Sequence, residues 1–125
     1  MKGLCAVEMI TFITNDQLLL KMRGNFWTII DTNGQIKEIP RKLLNVLKRT
    51  IYTSIQSQVI YDKNKTMLVL TSDELISTVF FDHRGQMTNH YNYQIDISDE
   101  NEKAANSITV LSDSKGRLYR FYNCE

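Results

Sequence analysis

Three four-residue segments of the form Asp-x-x-Gly punctuate this chain: Asp31-Thr32-Asn33-Gly34, Asp82-His83-Arg84-Gly85 and Asp113-Ser114-Lys115-Gly116. Asp at the first position of a type I turn caps the backbone with its carboxylate. Gly at the fourth takes the left-handed conformation from which a second strand can start back. Each segment lies between short runs rich in β-branched and aromatic residues, so each predicts an antiparallel hairpin. Weaker turn signals stand at Asn15-Asp16 and at Asp62-Lys63-Asn64-Lys65.

The turns belong to an internal repeat. Asp31, Gly34, Gln35 and Ile36 align with Asp82, Gly85, Gln86 and Met87 at an offset of 51. Upstream, Ile10, Phe12, Asn15 and Leu18 to Leu20 align with Val59, Tyr61, Asn64 and Met67 to Val69 at an offset of 49. Residues 10–39 and 59–90 therefore read as two four-strand meanders, and 108–122 as the second half of a third. Tandem meanders of this size predict an all-β, antiparallel chain with two propeller-blade-like repeats plus a half repeat. The Gly-His and Trp-Asp signatures of tryptophan–aspartate repeats are missing, as is the double glycine of kelch repeats. Two and a half units do not close a ring, so the alternative is a small β-sandwich or partly open barrel.

Strand character refines this. Leu18-Leu19-Leu20 and Met67-Leu68-Val69-Leu70 are apolar at successive positions, which predicts strands covered on both faces. Residues 87–95 alternate, with Met87, Tyr91, Tyr93 and Ile95 expected on one side and Thr88, His90, Asn92 and Gln94 on a side facing water. Pro40 followed by apolar residues at 43, 44 and 47 permits at most one short helix near 40–49. Asp73-Glu74 marks a turn, and the polar stretch 96–106 a surface loop.

At 125 residues the chain has the size of a single domain, 1–125, able to bury a core without metals or disulfides. Cys5 and Cys124 are too few for a disulfide scaffold, so free thiols are expected, with a bridge between the ends as the alternative. Glu8 breaks the apolar start before it reaches signal-peptide length, and no apolar run spans a bilayer. These features predict a cytoplasmic protein with no membrane partner. The net charge of +1 is unevenly spread: residues 1–50 hold eight Lys/Arg against four Asp/Glu, and residues 51–125 seven against ten.

No pattern of catalytic chemistry stands out. There is no Gly-x-Ser-x-Gly elbow and no glycine-rich phosphate loop. His83 and His90 lack metal-ligand spacing, so no metal and no cofactor are expected. Asp31-Thr32-Asn33-Gly34 imitates the start of a calcium loop, but the position that needs a bidentate Glu is Lys42. Candidate binding residues are the basic Arg41, Lys42, Lys48 and Arg49 around the helix, His90 on its strand, and the aromatic Tyr119 and Tyr122. Basic groups suit phosphates, and Tyr suits protein interfaces.

The expected function is a non-enzymatic protein–protein interaction module with a protein partner or a second copy of itself. The bias towards Asn, Ile, Lys and Thr, typical of AT-rich genomes, suggests a small phage-type protein acting on a host component. The alternatives are a nucleic-acid-associated protein using its basic N-terminal half, and a small enzyme whose site is not visible in sequence.

Overall fold

The computed structural model describes residues 6–60, 64–94, 107–112 and 118–123. Strands β1 (Val7–Thr14), β2 (Gln17–Met22), β3 (Phe26–Asp31) and β4 (Ile36–Lys37) form one sheet in that spatial order. Helix α1 (Arg41–Leu47) leads to a second sheet of β5 (Ser54–Ile60), β6 (Lys65–Thr71), β7 (Leu75–Phe81) and β8 (Met87–Gln94), again in sequence order. Strands β9 (Ser107–Ser112) and β10 (Leu118–Asn123) pair with each other. All pairings are antiparallel. Among the described residues the fold is all-β, with two meanders, a paired β9–β10 ladder and one short helix in the expected place.

The two described Asp-x-x-Gly turns share one geometry. Asp31 Oδ1 accepts the N–H groups of Asn33 and Gln35, both at 2.9 Å. Asp82 Oδ1 accepts those of Arg84 at 2.9 Å and Gln86 at 3.0 Å. Gly34 and Gly85 have φ of 79° and 84°, the left-handed region that their turns require. Two backbone donors per carboxylate favour the ionised form, so both Asp pKa values are lowered, with the Gln35 and Gln86 N–H groups as the largest causes. The third turn, with Asp113 and Gly116, lies outside the described residues, as do Cys5, Cys124 and the stretch 96–106.

The two sheets share a core. Ile13, Leu19, Trp27 and Ile29 of the first sheet meet Leu68, Leu70, Val79 and Phe81 of the second, and α1 adds Leu43, Val46 and Leu47. The helix is short and has no side-chain N-cap; Pro40 stands at that position. Its three buried side chains supply the packing that an isolated seven-residue helix lacks. The sheets approach where β1 nears β5 and β6, and Thr11 Oγ1 lies 2.9 Å from Ser57 Oγ, to which it donates. The second sheet is apolar on its other face too: Ile60, Met67, Val69, Ile76 and Phe80 form a separate cluster. Strand β9 approaches that sheet at β5 and β6. The arrangement is sandwich-like, and no ladder closes the described strands into a barrel.

Two sequence expectations need correction. Met67 to Leu70 are buried on both faces, but Leu18 is only half-buried. In β8, Met87 pairs with Phe81 while Asn89 pairs with Phe80, so Thr88 is an extra residue in the ladder. This bulge turns Met87 to the core side with His90 and Asn92, away from Tyr91 and Tyr93. The side expected to face water is thus the core side, where His90 is half-buried, while Tyr91 on the other side is exposed. No helix among the described residues is long and apolar enough to cross a membrane.

Candidate functional site

Alternation along a strand sends every second side chain to the same face. In the first sheet, Leu19, Trp27 and Ile29 point to the core, which leaves the intervening positions outward. Cross-strand register lines these up in three rows. Phe12, Leu18, Ile30 and Ile36 form one, Ile10, Leu20 and Thr28 a second, and Val7, Met22 and Phe26 a third. Nine of these ten residues are apolar and none is charged. Phe26 is 70% exposed, Ile36 68%, Phe12 60% and Ile10 56%. Together with Val7 they leave roughly 600 Å² of apolar surface in water, at the upper end of the largest patch on an ordinary monomer. Leu20, at the centre, is 2% exposed.

The repeat provides an internal comparison. Leu18 and Leu20 occupy the positions that Met67 and Val69 hold in the second meander. Met67 and Val69 are 0% and 1% exposed, in the apolar cluster with Ile60, Ile76 and Phe80. The matching positions are fully buried in the second copy, whereas the first copy keeps Leu18 half-buried and Ile10, Phe12, Phe26 and Ile36 exposed around it.

A second surface lies between α1 and β8. Lys42, Asn45, Val46 and Arg49 from the helix and its C-terminal end face Met87 and His90 across a cleft of about 300 Å³. The bulge in β8 makes this possible, because it puts Met87 on the same side as His90. His90 Nε2 is 2.9 Å from Asn92 Oδ1, which also accepts from Ser77 Oγ at 2.8 Å. Ser77 Oγ is 3.0 Å from the Tyr52 hydroxyl, which donates to the Val46 carbonyl at 2.9 Å. The chain of contacts runs from the helix backbone to the cleft histidine. Each hydroxyl carries one proton. With Tyr52 donating to Val46 and Ser77 to Asn92, the contact between the two hydroxyls has no proton of its own. Burial raises the Tyr52 pKa above its ordinary value; the Ser77 hydroxyl beside it and the Arg49 charge act the other way.

Of the residues singled out in the sequence, Lys42, Arg49 and His90 come together in this cleft. Arg41 and Lys48 are exposed at the two ends of α1 and do not line it. Tyr119 is exposed on β10, and the side chain of Tyr122 on the same strand lies outside the described part. Sequence reasoning missed the apolar face. Its signal was present in Ile10, Phe12, Leu18, Leu20 and Met22 at alternating positions, but a strand apolar on both sides reads equally as buried on both.

Among the described residues, no three His, Cys, Asp or Glu side chains gather where they could hold a metal. No family model, no curated protein and no solved structure matches this chain.

Proposed function

We propose that the protein is a non-enzymatic interaction module that assembles with a second copy of itself through the outer face of its first sheet. The observation that supports this most is the nine-of-ten apolar composition of that face, with four side chains more than half exposed. Keeping roughly 600 Å² of such surface in water is unfavourable at about 25 cal/mol per Å². Covering it on two copies buries about 1,200 Å², the lower bound of stable protein–protein interfaces.

Two arguments favour a second copy as the occupant. A face without charges meets any surface of its own kind without like-charge repulsion, as a two-fold interface demands. The repeat also supplies a contrast, because the matching positions of the second meander, Met67 and Val69, are fully buried.

Sedimentation velocity on the purified protein tests this against the double variant Ile10→Asp/Phe12→Asp. Both side chains are exposed, so the variant keeps its fold, checked by circular dichroism. The expected result is a dimer or larger assembly for the natural chain and a monomer for the variant. A natural chain that stays monomeric at high concentration, or an assembly that survives both substitutions, refutes the proposal.

A further inference from the structure

We infer that the cleft between α1 and β8 binds a phosphate group carried on a small organic body. The observation behind it is independent of the apolar face. Lys42 and Asn45, three residues apart on one side of α1, and Arg49, just beyond its C-cap, line the same cleft. His90 meets them from β8. Two cationic side chains, Lys42 and Arg49, therefore line one cleft beside His90 and Asn45, and no lining residue is acidic. The two described ion pairs are Lys21 with Glu8 and Lys37 with Asp31, so neither Lys42 nor Arg49 is neutralised by a described carboxylate.

Cations brought together without a counter-charge repel one another, and an anion between them converts that repulsion into attraction. The donors suit phosphate in particular. Arg49 offers a planar fork that can engage two oxygens at once, Lys42 offers a compact charge, and Asn45 a neutral N–H pair. Phosphate presents enough oxygens to use all three. Val46 and Met87 supply apolar lining on which a sugar or base can rest. The volume of about 300 Å³ exceeds what the phosphate alone needs and matches the lower end of small-molecule sites. Asn92 Oδ1, which accepts from Ser77 Oγ, also lies 2.9 Å from His90 Nε2 and so orients the His90 ring at the cleft wall.

Phosphate chemistry reaches such a site from two sources, a free nucleotide or the backbone of a polynucleotide. Titrations followed by ¹H–¹⁵N correlation spectra use inorganic phosphate, adenosine monophosphate, a short oligothymidylate and, as a contrast, an oligoglutamate peptide. The expected result is a set of shifts at residues 42, 45, 49, 87 and 90, with adenosine monophosphate binding more tightly than inorganic phosphate. Tighter binding of oligothymidylate than of the mononucleotide upholds phosphate capture and assigns the source to a polynucleotide. In Lys42→Gln/Arg49→Gln the affinity should fall at least about tenfold, and Arg49→Lys, which keeps the charge but loses the fork, should fall less. These exposed substitutions leave the remaining spectrum unchanged, which separates lost binding from lost fold. No shift at the cleft with any phosphate probe, equal affinity in the double variant, or oligoglutamate binding as tightly as the phosphate probes overturns the inference.

Discussion

Replacing Gly85 with Val tests the turn and the packing of the two sheets together. Gly85 closes the β7–β8 turn with φ of 84°, where an L side chain costs about 1–2 kcal/mol. A branched Cβ is worse placed there than a linear one. The site is also crowded from the other sheet. A Cβ on Gly85 would lie 2.8 Å from Gln17 Oε1 and 3.3 Å from Thr14 Cγ2, both at the β1–β2 hairpin. The Gln17 tip is flexible and can move away, but the Thr14 methyl must shift with its strand end. Adding this to the backbone strain gives about 2–3 kcal/mol for Gly85→Val. Gly85→Asn, which tolerates the left-handed region, should cost less. Urea denaturation followed by the fluorescence of Trp27, the single tryptophan and a member of the shared core, measures the difference. A Gly85→Val protein within about 0.5 kcal/mol of the natural one refutes both the strain and the contact between the hairpins.

Other substitutions probe the remaining parts. Leu68→Ala, at a fully buried site in the shared core, should cost about 2–5 kcal/mol in the same titration. Glu8→Ala leaves Lys21, 5% exposed and bonded to Glu8 at 2.7 Å, without its partner; a loss of about 1–3 kcal/mol is expected, and Glu8→Asp should recover little because its carboxylate is one carbon short. Tyr52→Phe removes the link between α1 and Ser77 and should cost about 1 kcal/mol while broadening or shifting the His90 resonances. The Asp31 and Asp82 pKa values are depressed on folding, so their stabilising contribution is present above the ordinary value of 3.8 and is lost as pH falls through the lower folded values. Acid denaturation should therefore be shallower in Asp31→Asn/Asp82→Asn, and an unchanged acid limb argues against carboxylate-capped turns.

The hairpins were legible because their chemistry is local. An Asp that binds N–H groups two and four residues ahead, followed by a Gly at positive φ, needs nothing from the rest of the chain, and both described examples show it. The helix was legible for a similar reason, since Pro40 and the spacing of Leu43 and Leu47 act within two turns. Strand faces were harder. The alternation of β8 was correct from Asn89 onward, yet one extra residue at Thr88 moved Met87 to the opposite side. A bulge changes phase by one residue, and nothing in the composition of 87–89 marks it.

Grouping of distant residues was beyond the sequence. Lys42 and Arg49 are near each other in sequence, on α1 and just beyond its end, but their meeting with His90 depends on how α1 docks against the second sheet through Val46 and Tyr52. The apolar face was hidden for a related reason. Period-two patterning tells which side chains share a side of a strand, and it determined that Leu18 and Leu20 share one. Whether that side is covered depends on where another layer of the fold lies, a long-range property decided by tertiary packing. In the second meander that side is buried at Met67 and Val69. In the first it faces solvent, because the shared core and α1 occupy the opposite side.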